Sequence, residues 1–197
     1  MGKRWYEARL LAALVGDPRR VTRRQMNAWA AGFENWADCD TVCFKLWDRT
    51  PFAWEKARQW AGSPREFVKR AAFALMACLA LHDKAAPDKN FLALLPLIEK
   101  GANDERNFVK KGVNWALRSI GRRNPALNAA AVAVAKRLAS SEESRTPMGR
   151  QRRAARAGKS ESALAADSPE DRREETWTLK AIEKLPMAKH HVRSSTI

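Results

Sequence analysis

Residues Asp104–Arg122 read DERNFVKKGVNWALRSIGR, and their apolar residues recur at helical spacing. On a helix with about 100° between successive residues, one side forms an apolar seam of Val109, Val113, Ala116, Leu117 and Ile120. The other side carries Lys111, Trp115, Arg118 and Arg122. An aromatic ring among cations suits a polyanion with stackable faces, such as nucleic acid. The pattern also fits a solvated basic face with a tryptophan packed at its edge, and the helix alone leaves both interpretations open.

Part of this segment has an earlier copy in the chain. Arg106–Lys111, RNFVKK, matches Arg65–Arg70, REFVKR. The displacement lies in the roughly 40–47 residue range of HEAT and armadillo helical pairs. In the earlier copy, the positions that match Trp115, Arg118 and Arg122 hold Ala74, Ala77 and Leu81. Because repeat packing therefore does not require Trp115, Arg118 and Arg122, their pattern favours a functional role.

Two basic pairs occupy equivalent positions in the two copies. They are Lys69-Arg70 and Lys110-Lys111, which helical repeats would align along one ridge. Each phosphate neutralised by such a cation adds sequence-independent affinity for nucleic acid. We therefore predict that all four side chains contact phosphate.

The composition narrows the class of partner. The chain of 197 residues has a formal net charge of +15 and a pI near 10.4. Such an excess favours nucleic acid over an anionic membrane or an acidic protein. The sequence has no run of 18 or more apolar residues and no signal-peptide pattern. Its three cysteines favour a reducing compartment over a disulfide framework, so we expect a cytoplasmic protein.

Helix signals follow one another along the chain, with almost no strand pattern between them. They predict an all-α fold, an α-α superhelix of HEAT-like helical repeats. Start signals are the capping box of Thr22 and Gln25, Thr50-Pro51, Ser63-Pro64-Arg65-Glu66 and Asn124-Pro125. The predicted helices are Arg4–Val15, one from Thr22, Asp38–Trp47, one from Thr50, one from Ser63 to about His82, Asp88–Gly101, Asp104–Arg122, and one from Asn124 to about Ala139.

The composition of the sequence changes after Ser140, where it becomes polar, rich in Ser, Arg and Ala, and poor in large apolar residues. We predict a helical repeat domain over residues 1–140 and a polar, basic, loosely structured tail over residues 141–197. Within the tail, Thr176–Leu185 has the pattern of a further helix, with a start signal at Ser168-Pro169.

Motifs of the common catalytic and metal sites are missing from the sequence. It contains no GxSxG, Walker A, GxGxxG, CxxC or HExxH, so we predict neither a cofactor nor a metal. Cys39 and Cys43 share a helix face, as do Cys78 and His82, but buried cysteine is common in helical cores. The acidic group of Asp38, Asp40 and Asp48 is a candidate source of a catalytic carboxylate. Helix capping and exposure are the simpler explanation of these three residues.

Several blocks of the sequence resemble one family. They are ENWADCDTVC (34–43), TPFAWEKA (50–57), EFVKRAAFALMA (66–77), LHDK (81–84) and DERNFVKKGVNWALRSIGRRN (104–124). The chain from about Trp5 to Arg150 resembles the HEAT-like-repeat DNA alkylation repair glycosylases, the AlkD-like family. The resemblance implies a curved stack of antiparallel helical pairs whose basic concave face holds duplex DNA. It also implies excision of N3- and N7-alkylpurines, in which a carboxylate stabilises the oxocarbenium-like sugar and a tryptophan on the same helix packs near the lesion.

Trp115 matches that tryptophan, but the chain departs from the family pattern in three ways. Ser119 stands where the family has its catalytic aspartate, and a neutral hydroxyl cannot stabilise a developing cation as a carboxylate does. The pattern ends after Gly149-Arg150, so the family's phosphate-clamping arginine cannot be assigned. The chain also starts near a mid-family helix, which indicates that the first helical pair is missing.

The sequence therefore supports a set of expectations. The partner is double-stranded DNA, alkylated or distorted, bound by a monomer without a membrane. We predict DNA contacts from Trp115, Arg118, Lys111, Arg122, Lys110, Lys69 and Arg70, and we assign no catalytic residue. Three functions stay open: a glycosylase that obtains its carboxylate elsewhere, a non-catalytic binder of damaged or branched DNA, and a solenoid scaffold that binds an acidic protein.

Overall fold

The structure is a computed structural model that describes the backbone of residues 6–145 and the side chains of residues 7–141. Every regular element in this part of the chain is helical, which confirms the all-α prediction. The α-helices are α1 (Tyr6–Val15), α2 (Arg23–Ala31), α3 (Trp36–Lys45), α4 (Ala53–Trp60), α5 (Glu66–His82), α6 (Asp88–Leu92), α7 (Leu95–Gly101), α8 (Asn107–Gly121) and α9 (Pro125–Arg145). Two short 3-10 turns, Pro18–Arg20 and Trp47–Arg49, follow α1 and α3.

Three helices lie side by side and point the same way: α3, α5 and α8. At the start of α5 and α8, the rings of Phe67 and Phe108 lie 5.4 Å apart between centroids. Beyond the end of α8, Arg123 donates hydrogen bonds to the carbonyl oxygens of Ala80 and Asp83 at the end of α5. Contacts at both ends make α5 and α8 parallel neighbours. A second layer of α4, α7 and α9 packs behind them.

The core is centred on α5. Every residue from Ala71 to Ala80 on this helix is buried. A β-carbon at Gly101, in the last turn of α7, would overlap the ring of the fully buried Phe73, so this position requires glycine. At Gly112 a β-carbon would lie 3.4 Å from the β-carbon of Phe73, so the small residue lets α8 approach α5 closely.

Two of the predicted start signals act as caps. The Thr22 hydroxyl accepts a hydrogen bond from the Gln25 amide at 3.1 Å, and the Asn124 side chain accepts one from the Leu127 amide at 2.9 Å. These side chains satisfy amide groups that have no partner within the first turn of a helix. The seam of α8 is also confirmed, since all of its predicted members are buried.

Several predicted boundaries were wrong, and three of them have a clear physical reason. The Ser63 hydroxyl accepts a bond from the Arg65 amide and closes a turn, so α5 begins only at Glu66. The Thr50 hydroxyl donates to the Trp47 carbonyl at 2.7 Å and so closes the preceding turn, and α4 begins at Ala53. The predicted helix Asp88–Gly101 is divided into α6 and α7, because Pro96 has no amide to donate to Leu92.

The predicted boundary of the helical domain falls inside α9. This helix continues past residue 140 to Arg145. Residues 146–197, with the predicted helix Thr176–Leu185, lie outside the described residues.

Candidate nucleic-acid interface

The side of α3, α5 and α8 that faces away from α4, α7 and α9 is called the front face. On α8 it carries Lys111, Trp115, Arg118 and Arg122, called here the α8 stripe. Lys111 and Arg122 are exposed, whereas Trp115 and Arg118 are half-buried. No acidic residue occurs from Asn107 to Arg122. The stripe therefore forms a continuous surface of positive charge around one aromatic ring.

The cations of the α8 stripe have no carboxylate partner among the described residues. The Nε of Arg118 is buried and has no hydrogen-bond partner in this part of the chain. A buried, unpaired N–H group is unfavourable, and an approaching anion could satisfy it. Trp115 packs its inner edge against the core and leaves part of its ring at the surface.

The two other predicted cations on α5 are engaged inside the protein. The Arg70 guanidinium donates to both carboxylate oxygens of Asp40, at 2.9 and 2.6 Å, and to the carbonyl of Phe108 at 2.6 Å. Lys69 lies 2.9 Å from Asp104. Both side chains occupy the predicted ridge, but Arg70 is buried and paired with Asp40, and Lys69 shares the Asp104 carboxylate with Arg106. The structure therefore gives Lys69 and Arg70 a bracing role between neighbouring helices.

Lys110, the equivalent of Lys69 one repeat later, is nearly free. Its ammonium lies 4.0 Å from Glu105, whose side chain is 92% exposed. A pair of this length between exposed groups contributes little to stability. Lys110 can therefore exchange Glu105 for another anion at little cost.

Ser119 lies beside the α8 stripe but is only 5% exposed. It is on the flank of α8 that faces α5, where Gly112 also lies. A hydroxyl at this position offers a weak dipole and no net charge. The described residues around the stripe thus provide no carboxylate at the position where the resemblance requires one.

The explanation of the three aspartates by capping and exposure was wrong. Asp38 and Asp48 are buried, and Asp40 is half-buried. Asp38 accepts a hydrogen bond from Arg9 at 2.8 Å, and burial raises the pKa of this carboxyl above its ordinary value. The Asp48 carboxylate contacts Nδ1 of His82. These carboxylates connect neighbouring helices through partners about 30 residues away in the sequence.

The cysteines serve as core residues. The thiols of Cys39 and Cys43 donate to the carbonyls of Phe67 and Ala71 on α5. Cys78 is also buried, and desolvation raises the pKa of the Cys43 and Cys78 thiols well above the ordinary value. Across the described residues, no three potential ligands among His, Cys, Asp and Glu come together to hold a metal ion.

Two residues of this surface were missed by the sequence analysis. Arg123 closes the end of the α5–α8 pair, with its guanidinium 4.1 Å from the centre of the Phe91 ring. Its partners lie about 40 residues away, so no local pattern marks it. Trp36 begins α3 and is 51% exposed. Its spacing of four and eight residues from Asp40 and Phe44 was the available signal.

The comparison with known protein families agrees with this architecture. The family model described as "DNA alkylation repair enzyme" matches residues 1–151. The chain belongs to this family. No curated protein matches the chain. The predicted family resemblance is therefore confirmed over most of the chain.

A solved structure has a similar fold. That protein is described as one of "a new family of proteins related to the HEAT-like repeat DNA glycosylases with affinity for branched DNA structures". It aligns with a TM-score of 0.60 and 20% sequence identity. The alignment covers 68% of this chain and 57% of the other. The HEAT-like repeat architecture is thus confirmed. Among the described helices, none has the length and apolar character needed to cross a membrane.

Proposed function

We propose that this DNA alkylation repair protein binds DNA through the α8 stripe and lacks base-excision activity. The observation that carries the proposal is the set of cations on α8 that no described carboxylate neutralises, placed around a partly exposed tryptophan. Phosphate contacts come from Lys111, Arg118 and Arg122, with Lys110 beside them.

The paired cations of α5 limit the size of this surface. Because Arg70 is paired with Asp40 and Lys69 is bonded to Asp104, these two cations of α5 are less available to DNA than the cations of α8. A single stripe of cations contacts a short length of backbone, so it provides affinity without reading sequence. The buried Nε of Arg118 favours a fixed phosphate position at the centre of the stripe.

The absence of a carboxylate at Ser119 supports binding over excision. Departure of an alkylated base leaves positive charge on the sugar, and a preorganised anion is the usual means of stabilising such charge. The described aspartates near the front face are engaged with Arg9, Arg70 and His82. We infer a role in holding damaged or branched DNA, in line with the affinity attributed to the similar solved protein.

The test compares two variants of equal charge. One is Lys111→Ala/Arg118→Ala/Arg122→Ala, and the control is Lys84→Ala/Lys89→Ala/Lys100→Ala, which removes three exposed lysines outside the stripe. Both changes lower the net charge of +15 by three. DNA affinity is measured by fluorescence anisotropy between 50 and 200 mM salt, a range over which phosphate contacts are strongly salt-dependent.

The stripe variant is expected to bind at least about tenfold more weakly, with a salt slope smaller by about 2 to 3, since each contact contributes about 0.9. The control variant is expected to show a much smaller loss of DNA affinity and a much smaller change in the salt slope. Equal losses in the two variants would show that net charge alone drives binding, and would favour the scaffold function with an acidic partner.

A further inference from the structure

The outer side of α1 carries an exposed apolar patch, called here the α1 patch. Its members Leu11, Leu14 and Val15 follow i, i+3, i+4 spacing, so they share one side of the helix. They are 60%, 61% and 74% exposed, the three highest values among the exposed large apolar side chains of residues 7–141. α1 packs against α3 and forms one end of the described stack of helices. An array of helical repeats needs a polar surface at each end, so an apolar end calls for a partner that covers it.

A groove beside the α1 patch extends this apolar surface. It has a volume of about 480 Å³ and lies between the end of α1 and the start of α2. Val15 belongs to both the patch and the groove, and the half-buried Trp29 and the buried Leu46 also line the groove. The combined surface suits the apolar side of a short helix.

The rim of the groove is basic. The chain around the start of α2 reads PRRVTRR over residues 18–24. Two of these four arginines are held in salt bridges, whereas Arg20 and Arg24 are exposed and form none within the described residues. Arg20 lines the groove itself. A helix that fits this surface therefore has acidic residues next to its apolar ones.

A segment with this chemistry occurs later in the same chain. Residues 167–175 read DSPEDRREE, with five acidic residues against two arginines. The predicted helix Thr176–Leu185 follows directly, and Trp177, Ala181 and Leu185 share one of its sides. An isolated helix of this length is marginal in water, so it needs an apolar surface to pack against. Both stretches lie outside the described residues, and the match rests on their sequence.

We propose that residues 167–185 dock on the α1 patch and its groove within the same chain. The apolar side of the segment covers the patch, and its acidic part lies beside Arg20 and Arg24. Residues 146–176, which connect α9 to the predicted helix, span up to roughly 100 Å when extended. The row of α1, α3, α5 and α8 is only roughly 30 Å wide, so the segment can reach its site. This inference is independent of the proposed DNA binding.

A second copy of the chain fits the α1 patch less well. In a symmetric dimer the same surface meets itself, so Arg20 and Arg24 of both copies would come together. Like charges that face each other across an interface are unfavourable. Three apolar side chains beside one groove also provide little of the roughly 800 Å² per partner that a stable dimer buries. A segment of the same chain needs less contact area, because its effective concentration is roughly millimolar.

The test is thiol crosslinking in the full chain, whose native cysteines are buried. The variant Val15→Cys/Ala181→Cys has one thiol on the α1 patch and one on the docking segment. The control variant is Leu92→Cys/Ala181→Cys, since Leu92 is an exposed residue of α6, which packs against α9. A short bismaleimide is added to dilute protein, and mass spectrometry of digested chains measures crosslinks within one chain. We expect the Val15 variant to crosslink at least about tenfold faster than the Leu92 variant.

A charge exchange tests the basic rim. Adding Glu174→Lys/Glu175→Lys to the Val15 variant is expected to slow its crosslinking several-fold at low salt. Adding Arg20→Glu/Arg24→Glu as well is expected to restore the rate, because the two charges of each pair are then opposite again. If the exchange does not restore the rate, the acidic residues do not lie beside these arginines and the proposed docking is wrong.

Two further results would overturn the inference. Equal crosslinking rates for the Val15 and Leu92 variants would mean that the segment has no preferred position on the helices. Crosslinks between two chains that carry Val15→Cys alone would assign the α1 patch to a second copy.

Discussion

At the scale of single residues, the proposed separation of DNA binding from base excision rests on Trp115 and Ser119 of α8. Trp115 keeps part of its ring at the surface, whereas Ser119 one turn later is buried against α5. In the proposed function, binding needs the cations and the apolar area on the front of α8. Excision additionally needs an anion at a position that here holds a neutral hydroxyl.

The substitution Ser119→Asp tests this separation. We expect the unmodified chain to release no methylated purine from alkylated DNA and Ser119→Asp to release a measurable amount, because the resemblance places the catalytic carboxylate here. Base release is measured by chromatography at saturating protein. Since the site is only 5% exposed, the new carboxylate is also expected to lower the free energy of unfolding, by about 1–3 kcal/mol.

Ser119→Asn is the control for that experiment. It has nearly the shape of aspartate and no charge, so release by the asparagine variant would exclude an electrostatic cause. Release by the unmodified chain would mean that another carboxylate acts in its place, and Asp40 would be the first to replace.

At the scale of helices, Asp104 is the connection between α5 and α8. Its carboxylate accepts hydrogen bonds from Lys69 at 2.9 Å and from the Arg106 guanidinium at 2.8 and 2.7 Å. The bonds from Arg106, aided by Lys69, hold the pKa of this carboxyl well below its ordinary value of 3.8. A lowered pKa in the folded state means that the stabilisation is present above the unfolded value and is lost as the pH falls.

Asp104→Asn should therefore destabilise the protein in a pH-dependent way. At pH 7 we expect its free energy of unfolding to fall by about 1–3 kcal/mol, since bonds to a charged group are removed. The difference from the unmodified chain should shrink as the pH falls below about 4. Urea unfolding at several pH values measures it. Glu105→Gln is the matched control, because Glu105 is 92% exposed and should show almost no difference.

The same comparison of helices shows what the sequence could predict. Burial of the α8 seam and exposure of Lys111 and Arg122 follow from a period of 3.6 residues, which is a local property. The pairing of Arg70 and Lys69 does not follow from this period, because their partners Asp40 and Asp104 are 30 and 35 residues away in the sequence. A repeat alignment places both basic pairs on one ridge, but it cannot tell a paired cation from a free one.

At the scale of the whole molecule, α5 joins the helices α3, α5 and α8 into one cooperative folding unit. In many repeat proteins each repeat contacts only its neighbours, and parts of the array can open separately. Here α5 contacts α3 through the thiols of Cys39 and Cys43 and through the Asp40–Arg70 pair. It contacts the 3-10 turn after α3 through the Asp48–His82 pair. It also contacts α8 along its length. Separation of α3 or α8 from α5 would expose the buried residues of α5 to water. We therefore expect one cooperative unfolding transition.

The chain's three cysteines report on that transition, because all of them are buried between α3 and α5. Burial raises the pKa of the Cys43 and Cys78 thiols, and only a thiolate reacts readily with disulfide reagents. At pH 7 without denaturant, we expect slow modification of all three. With increasing urea, modification followed by mass spectrometry should share one midpoint with the loss of helical circular dichroism.

The same urea unfolding experiment, repeated with DNA present, tests the proposed function. A ligand that binds only the folded chain raises its apparent stability, so excess DNA should move the common midpoint to higher urea. The charge-reduced stripe variant should show little of that shift. Rapid modification of one thiol in buffer, or separate midpoints for the α3 and α5 cysteines, would contradict the single unit. The stack would then open repeat by repeat, and the α8 stripe would need no intact α3 to bind DNA.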